Sequence, residues 1–197
     1  MCNDYEQHVA YRAWVEAMQG QGWTIPPGQS ERDLPQADDI HIGDLGPVMR
    51  AQGDRILLSP MRFGFAPDRP GRGPVFNFRS EGRSFAASRR CLAPASAFFE
   101  FTGTRYPKAK HRFTLNGAPF LCIAGLWKEG AGNQPDAFAM LTTAPGPDVA
   151  PIHDRQVAVL PPQDWRAWLE LSRPEAQLLR PLPAGALSVE TVRAASD

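Results

Sequence analysis

The sequence has little that would place it outside the cell or in a membrane. It has only 3 cysteines among 197 residues, and no two of them form a CxxC pair. Such a count predicts neither a disulfide framework nor a zinc site. No apolar run approaches the ~18 residues of a membrane span, and the N-terminus lacks the basic and then apolar segments of a secretory signal. We therefore expect a cytoplasmic protein (nucleoid-associated if bacterial) without a membrane anchor, metal or cofactor.

The sequence also lacks net charge, since 21 Lys and Arg residues balance 21 Asp and Glu residues. The charges are nevertheless segregated along the chain. Residues 62–112 carry 11 basic side chains, mostly arginine, and 3 acidic ones, net +8, while both flanking segments are acidic. This block could be an ordinary solvated face or a surface that binds a polyanion. Because arginine suits bidentate phosphate contacts, the block suggests nucleic acid without establishing it.

Proline, at 20 residues, is about twice its usual ~5%, which favours many short elements joined by irregular loops. Asn3 or Asp4 could cap a helix that runs to about Gln19, and residues 24–45 resemble a loop. Apolar runs predict strands at 46–51, 55–58, 61–66, 91–94, 97–101, 112–116, 119–127, 136–143 and 155–160. Pro162 starts a predicted helix to about Leu171, and a short helix follows over 174–180. We expect a single α+β domain over residues 1–197, with a mostly antiparallel, twisted β-barrel-like core and a few flanking helices.

Cys2 is the most informative position for chemistry. If Met1 is removed, Cys2 carries both a thiol and a free α-amine, whose ordinary pKa near ~8 leaves a useful neutral fraction at pH 7. Such a 1,2-aminothiol reacts with an aldehyde in two steps, because the amine forms a Schiff base and the thiol then closes a five-membered thiazolidine. A chance cysteine at position 2 is the alternative.

Three other residues could take part in catalysis. Glu100 interrupts the aromatic run of residues 98–101, where burial would raise its pKa toward the range of a general acid. His153 precedes a predicted strand and could act as a general acid or base. Asn77 could be a polar anchor. Each has a plain structural alternative: an outward-facing strand glutamate, a turn histidine and a loop amide.

Several motifs follow in a fixed order after Met1-Cys2, and together they resemble the SRAP (SOS response-associated peptidase) family over about residues 2–170. The motifs are MRFGFAP (61–67), NFRSE (77–81), RRCLAPASAFFEF (89–101), IAGLW (123–127), MLTTAPGPDVAPIHDR (140–155) and a WRAWL helix. The resemblance implies a compact β-barrel-like fold. It also implies covalent crosslinking of the N-terminal cysteine to abasic sites in single-stranded DNA, a lyase-like activity that shields the lesion. Residues 171–197 would form a C-terminal helix and strand extension.

The resemblance also implies a role for each candidate residue. Cys2 would be the nucleophile, Asn77 would hold the N-terminus, Glu100 would open the deoxyribose ring, and His153 would assist Schiff-base formation and reversal. Other residues would bind the DNA. Arginines would hold its phosphates and aromatic rings would stack on its bases, and these residues are Arg79, Arg155, Arg69, Phe63 and Phe101.

The sequence departs from the family pattern after Cys2. The family usually continues with Gly-Arg, whereas Asn3 and Asp4 stand here, so a phosphate-binding arginine is lost and an acid is expected beside the DNA path. Two other functions stay open. One is a cysteine peptidase or amidohydrolase that uses Cys2, in line with the family name, and the other is a non-catalytic single-stranded-DNA-binding domain. In each case we expect a monomer.

Overall fold

The structure is a computed structural model that describes residues 2–195. The described residues contain three α-helices, α1 (Tyr11–Gly20), α2 (Pro162–Glu170) and α3 (Glu175–Leu178), and a short 3-10 helix at Glu31–Asp33. Their strands are β1 (Asp4–Gln7), β2 (Ala37–His41), β3 (Leu45–Gln52), β4 (Arg55–Phe63), β5 (Asn77–Arg79), β6 (Arg90–Ala95), β7 (Ala97–Thr102), β8 (Ala109–Leu115), β9 (Leu121–Lys128), β10 (Ala137–Thr143), β11 (Gln156–Val157), β12 (Val159–Leu160) and β13 (Leu187–Arg193).

Five strands close into a small barrel. β3 pairs antiparallel with β4 and β6, β6 pairs with β9, and β9 pairs with β10. A parallel pairing of β10 with β4 completes the ring, and β5, β11 and β12 attach to β10 and β9. All of β10 and most of β9 are buried, as their near-continuous apolar sequences require. The predicted barrel-like core with flanking helices is therefore confirmed.

A second, antiparallel sheet packs against the barrel in the order β13-β8-β7-β1-β2. Aromatic rings join the two layers. Tyr5 of β1 meets Phe63 of β4 and Phe138 of β10 edge to face, with ring centroids 5.8 and 6.5 Å apart. Phe98 of β7 and Phe113 of β8 stack at 4.9 Å within the same buried cluster. Burying rings of this size stabilises the fold by about 1.5–3 kcal/mol each, so β1 and β7 are held firmly against the barrel.

The N-terminal helix begins later than predicted. The expected start at Asn3 or Asp4 is wrong, because residues 4–7 form β1 and α1 begins only at Tyr11. β1 lies between β2 and β7, which satisfy its backbone hydrogen bonds, and its Tyr5 ring enters the aromatic cluster. Tertiary pairing thus overrides a local capping pattern. The predicted end near Gln19 agrees with the structure to one residue.

Other differences concern short or polar strands. β2 lies inside the predicted loop of residues 24–45, since its sequence ADDIH buries only Ile40 and becomes a strand through pairing with β1. The predicted strands 55–58 and 61–66 are one strand, β4, and β5 carries no apolar period that would predict it. The predicted strand 155–160 is divided into β11, which pairs with β10, and β12, which pairs with β9. The other predicted strands are present with shifted ends. Within residues 2–195, no helix has both the length and the apolar character needed to cross a membrane.

Candidate active site

Cys2 lies two residues before the start of β1, and Met1 lies outside the described residues. The Cys2 side chain is fully buried, and its Sγ donates a hydrogen bond to the carbonyl oxygen of Asp4 at 3.1 Å. Burial raises the pKa of the Cys2 thiol above its ordinary value, and the nearby Glu100 carboxylate raises it further. The thiol is therefore protonated at neutral pH, and it needs a proton acceptor before it can act as a nucleophile.

Asn77 ties the start of the chain to the barrel. It begins β5, whose pairing with β10 places Asn77 opposite Met140. The Asn77 Nδ2 donates a hydrogen bond to the carbonyl oxygen of Cys2 at 2.8 Å. Its Oδ1 is buried and accepts no hydrogen bond from residues 2–195. The amide therefore fixes the Cys2 backbone and keeps one unused acceptor beside it.

Glu100 and His153 form a pair of titratable groups next to Cys2. Glu100 lies in β7, and its side chain is 1% exposed. Burial raises the pKa of Glu100 to about 7, while burial lowers the pKa of His153 below its ordinary value. The Glu100 Oε2 lies 3.6 Å from the His153 Nε2. The raised pKa of Glu100 leaves both of its protonation states populated near pH 7, and the adjacent imidazole of His153 is a second group that can accept or donate a proton.

The loop that carries His153 is held by Arg155. The His153 Nδ1 lies 3.0 Å from both the backbone nitrogen and the carbonyl oxygen of Arg155. The Arg155 guanidinium donates to both carboxylate oxygens of Glu81, at 2.7 and 2.9 Å, and to the carbonyl oxygen of Thr142 at 2.9 Å. Hydrogen bonding by Arg155 lowers the pKa of Glu81 to about 2. Glu81 also accepts the backbone N–H of Ala144 at 2.7 Å.

A cleft of about 250 Å³ opens onto this group of residues. Glu100 and His153 line it, together with Asn3 and Phe101. Its other lining residues are Tyr106, Lys108 and Arg193. A small molecule or a nucleotide that enters the cleft would meet an acid, an imidazole and positive charge. Cys2 is buried and does not line the cleft, but the charge of Glu100, which does, raises the pKa of its thiol.

The comparison with known proteins agrees with the motifs in the sequence. Residues 1–195 match the family described as SOS response associated peptidase (SRAP). The chain belongs to the SRAP family. Two curated relatives are the abasic site processing protein YoqW of Bacillus subtilis and the abasic site processing protein YedK of Escherichia coli. The chain is 29% identical to YoqW over 146 residues and 28% identical to YedK over 166 residues. The matches cover 66% and 74% of this chain but 65% and 73% of the relatives, so for YoqW the chain spans slightly less than two thirds.

Solved structures share the SRAP fold seen here. Two proteins from Bordetella bronchiseptica, one of them described as phage-related, superpose with TM-scores of 0.72 at 22% and 23% identity. They cover 98% of this chain, and 100% and 94% of their own chains are matched. A Bacteroides thetaiotaomicron protein gives a TM-score of 0.73 at 17% identity, over 98% of this chain and 92% of its own. At these identities the likeness establishes the fold alone.

The residues that the SRAP resemblance assigns to DNA binding differ in their exposure. Arg79 and Arg69 are exposed, and Phe101 lines the cleft. The side chain of Phe63 is fully buried and stacks on Phe138 at 5.2 Å. The prediction that Phe63 stacks on a base is therefore wrong, because its ring belongs to the aromatic cluster between the two layers. Arg155 is 12% exposed and already bound to Glu81.

Asp4, which departs from the SRAP pattern, lies in a buried ion pair. Its Oδ2 is 2.8 Å from Nζ of Lys110, which also binds Asp39, and its Oδ1 is 3.6 Å from Nδ1 of His41. In the part of the chain that the structure describes, Asp4, Asp39 and His41 are the only group whose side chains could together ligate a metal ion. The ammonium of Lys110 contacts both carboxylates, so the protein itself compensates their charge. Sequence reasoning missed Lys110, which lies in no motif.

Proposed function

We propose that this SRAP protein processes abasic sites in single-stranded DNA, by forming a thiazolidine between Cys2, freed by removal of Met1, and the ring-opened sugar. Two of its curated relatives are named abasic site processing proteins. The observation that carries the proposal is the 2.8 Å hydrogen bond from Asn77 to the carbonyl oxygen of Cys2, beside the pair of Glu100 and His153. This arrangement fixes an N-terminal cysteine next to groups that can move protons near neutral pH.

The first chemical step is the opening of the sugar. An abasic deoxyribose exists mostly as a closed hemiacetal, which hides the aldehyde. Protonation of the ring oxygen and removal of the proton from the C1′ hydroxyl break the C1′–O4′ bond and leave a C4′ hydroxyl and a free aldehyde. Glu100, with a pKa raised to about 7 by burial, is present in both protonation states at neutral pH and can exchange these protons.

The second step joins the protein and the sugar. The α-amine of Cys2 adds to C1′, and loss of one water molecule gives a Schiff base. The Cys2 sulfur then adds to the imine carbon, the thiol proton passes to the nitrogen, and the five-membered thiazolidine closes without a further leaving group. His153 lies 3.6 Å from Glu100 and can carry protons for the departure of water and for the reverse reaction.

The charge distribution supports a DNA substrate. The segment 62–112 has net charge +8 and includes the exposed Arg79, which lies two residues beyond Asn77 in β5. Lys108, from the same segment, and Arg193 place positive charge at the cleft, and Phe101 offers a ring on which a base could stack. A general peptidase has no need of such a basic surface. We expect the protein to act on DNA as a monomer.

The test is denaturing electrophoresis and intact mass after incubation with single-stranded DNA that carries one abasic site. The native protein should give an adduct heavier by the DNA minus one water. A variant that retains a residue before Cys2 has no α-amine on Cys2 and should give no stable adduct. Cys2→Ser with a free N-terminus should give only a Schiff base, which borohydride traps. Cys91→Ser and Cys122→Ser are the matched thiol controls and should react normally. A stable adduct from the protein that retains Met1 would overturn the thiazolidine mechanism.

The family name leaves a second function to compare, hydrolysis of peptide bonds through Cys2. The thiol of Cys2 is fully buried, and its hydrogen bond to the Asp4 carbonyl oxygen turns it into the protein. A peptide carbonyl and an abasic sugar would both have to reach that sulfur, so its burial does not distinguish the two functions, whereas the net charge of +8 over residues 62–112 favours DNA. Peptide turnover by the mature protein that is lost in Cys2→Ala, without any DNA adduct, would favour this second function.

A further inference from the structure

A larger cleft, of about 820 Å³, lies on the other side of β5 from Asn77 and combines aromatic and basic side chains. Its aromatic lining consists of Phe65, Phe78, Phe85 and Trp127, and its basic lining consists of Arg83, Arg89 and Lys128. We propose that this cleft binds a nucleotide of the same DNA strand, with the base against the aromatic side chains and the phosphate against the basic ones. The proposal rests on the proposed function, since it extends the DNA surface of the site.

The chemistry of the cleft fits a nucleotide. The guanidinium group of Arg89 lies 4.8 Å from the ring centroid of Trp127, and Nζ of Lys128 lies 4.7 Å from that of Phe65. The aromatic rings and guanidinium planes present flat surfaces on which any base can stack, while the same cations attract phosphate.

The position of the cleft links it to the proposed catalytic site. Strand β5 consists of three consecutive residues with different positions. Asn77 contacts Cys2, Phe78 lines the cleft, and Arg79 is exposed. Successive residues of a strand advance by about 3.3 Å and point to opposite faces, so β5 separates the two sites by the width of one strand. A single strand of DNA that passes Arg79 can therefore reach both the cleft and the proposed catalytic site. One acidic lining residue, Glu129, is held by Arg89 at 2.6 Å.

Tryptophan fluorescence gives a direct readout of occupancy. Of the five tryptophans, Trp14, Trp23, Trp165 and Trp168 are at most 3% exposed, whereas Trp127 is only partly buried. Binding of intact single-stranded DNA should therefore quench the emission of Trp127 in particular. The quenching should appear only above a minimum length, within oligonucleotides of about 4 to 16 nucleotides. Trp127→Phe keeps an aromatic ring and should abolish the quenching.

Charge variants test the same cleft through affinity. Arg89→Ala should weaken binding of the longer oligonucleotides and reduce the salt dependence of log K by about 0.7. Glu129→Gln releases Arg89 and should tighten binding. Trp127→Ala, if it folds, should weaken binding by about 5- to 150-fold, the equivalent of one stacked base. Arg32→Ala removes an exposed charge outside the cleft and is the matched control.

Each outcome decides between alternatives. Absence of quenching at saturating DNA, quenching that persists in Trp127→Phe, or equal effects of Arg89→Ala and Arg32→Ala would overturn the proposal. Quenching by polyglutamate but not by DNA would make the cleft a protein-docking surface, which also overturns it. Failure of the proposed function has a separate signature, because intact DNA would still quench Trp127 while abasic DNA gave no covalent adduct.

Discussion

The ammonium group of Lys110 lies 2.8 Å from the buried carboxylate of Asp4 and 3.7 Å from the ring centroid of Phe99. Asp4 stands where the family resemblance implies an arginine that binds DNA phosphate. The expectation that Asp4 lies beside the DNA path is wrong, because its side chain is 2% exposed. The pair instead joins β1 to β8 across β7 and anchors the strand that follows Cys2.

We expect Asp4→Arg to destabilise the fold rather than to tighten DNA binding. The substitution places a second cation beside Lys110 in a buried site, and breaking a buried pair costs about 3–5 kcal/mol. Lys110→Met should cost a similar amount, because Asp4 loses its counter-charge. The double variant Asp4→Asn/Lys110→Met should recover part of the loss. Urea unfolding measures all of these, and an Asp4→Arg protein of native stability with higher DNA affinity would show that Asp4 faces the DNA.

The raised pKa of Glu100 predicts a pH-dependent stability. Burial favours the protonated carboxyl in the folded state, with a pKa of about 7 against 4.5 for the ordinary group. The contribution of protonated Glu100 to the free energy of unfolding is therefore fully present below about pH 4.5 and is lost as the pH rises through 7. Glu100→Gln cannot ionise. Between pH 5 and pH 8, the free energy of unfolding of the native protein should therefore fall by about 1–3 kcal/mol relative to that of Glu100→Gln. Urea midpoints measured across this range test the prediction. Glu31→Gln, at an exposed site, should follow the native protein at every pH.

The same pair should control the rate of crosslinking. Glu100→Gln removes the proton transfer at the sugar ring and should slow adduct formation by about 10²–10⁴-fold. His153→Ala should slow both formation and reversal. Both variants keep the α-amine and thiol of Cys2, so a slower reaction would reflect the lost proton transfer. Single-turnover gels with abasic DNA measure formation, and transfer of the adduct to excess competitor measures reversal. Native rates in both variants would remove Glu100 and His153 from the proposed mechanism.

Strands with a strong apolar period were predictable, and those made by pairing were not. β9 and β10 follow from their apolar runs, whereas β2 buries only Ile40 and exists because β1 lies beside it. The motifs in the sequence predicted a site of Cys2, Asn77, Glu100 and His153, and the structure brings these four residues together. The ion pair of Lys110 with Asp4 and the burial of Phe63 could not be predicted, because both depend on contacts between segments that are distant in the sequence.

The two arginines assigned to phosphates should behave differently. Arg79 is exposed, so Arg79→Ala should weaken binding of intact single-stranded DNA and reduce the salt slope of log K by about 0.7. Arg155 is occupied by Glu81 and Thr142, so Arg155→Ala should leave that slope unchanged. It should slow crosslinking instead, because the loop that carries His153 loses its anchor.

Glu81 supplies the control that separates positioning from phosphate binding. Glu81→Gln weakens the hold on Arg155 but removes no positive charge, so it should also slow crosslinking while binding of intact DNA is unchanged or tighter. Anisotropy titrations at several salt concentrations give the slopes, and single-turnover gels give the rates. If Arg155→Ala reduces the slope as much as Arg79→Ala does, Arg155 leaves Glu81 to bind phosphate when DNA arrives. If Glu81→Gln crosslinks at the native rate, the ion pair does not position His153.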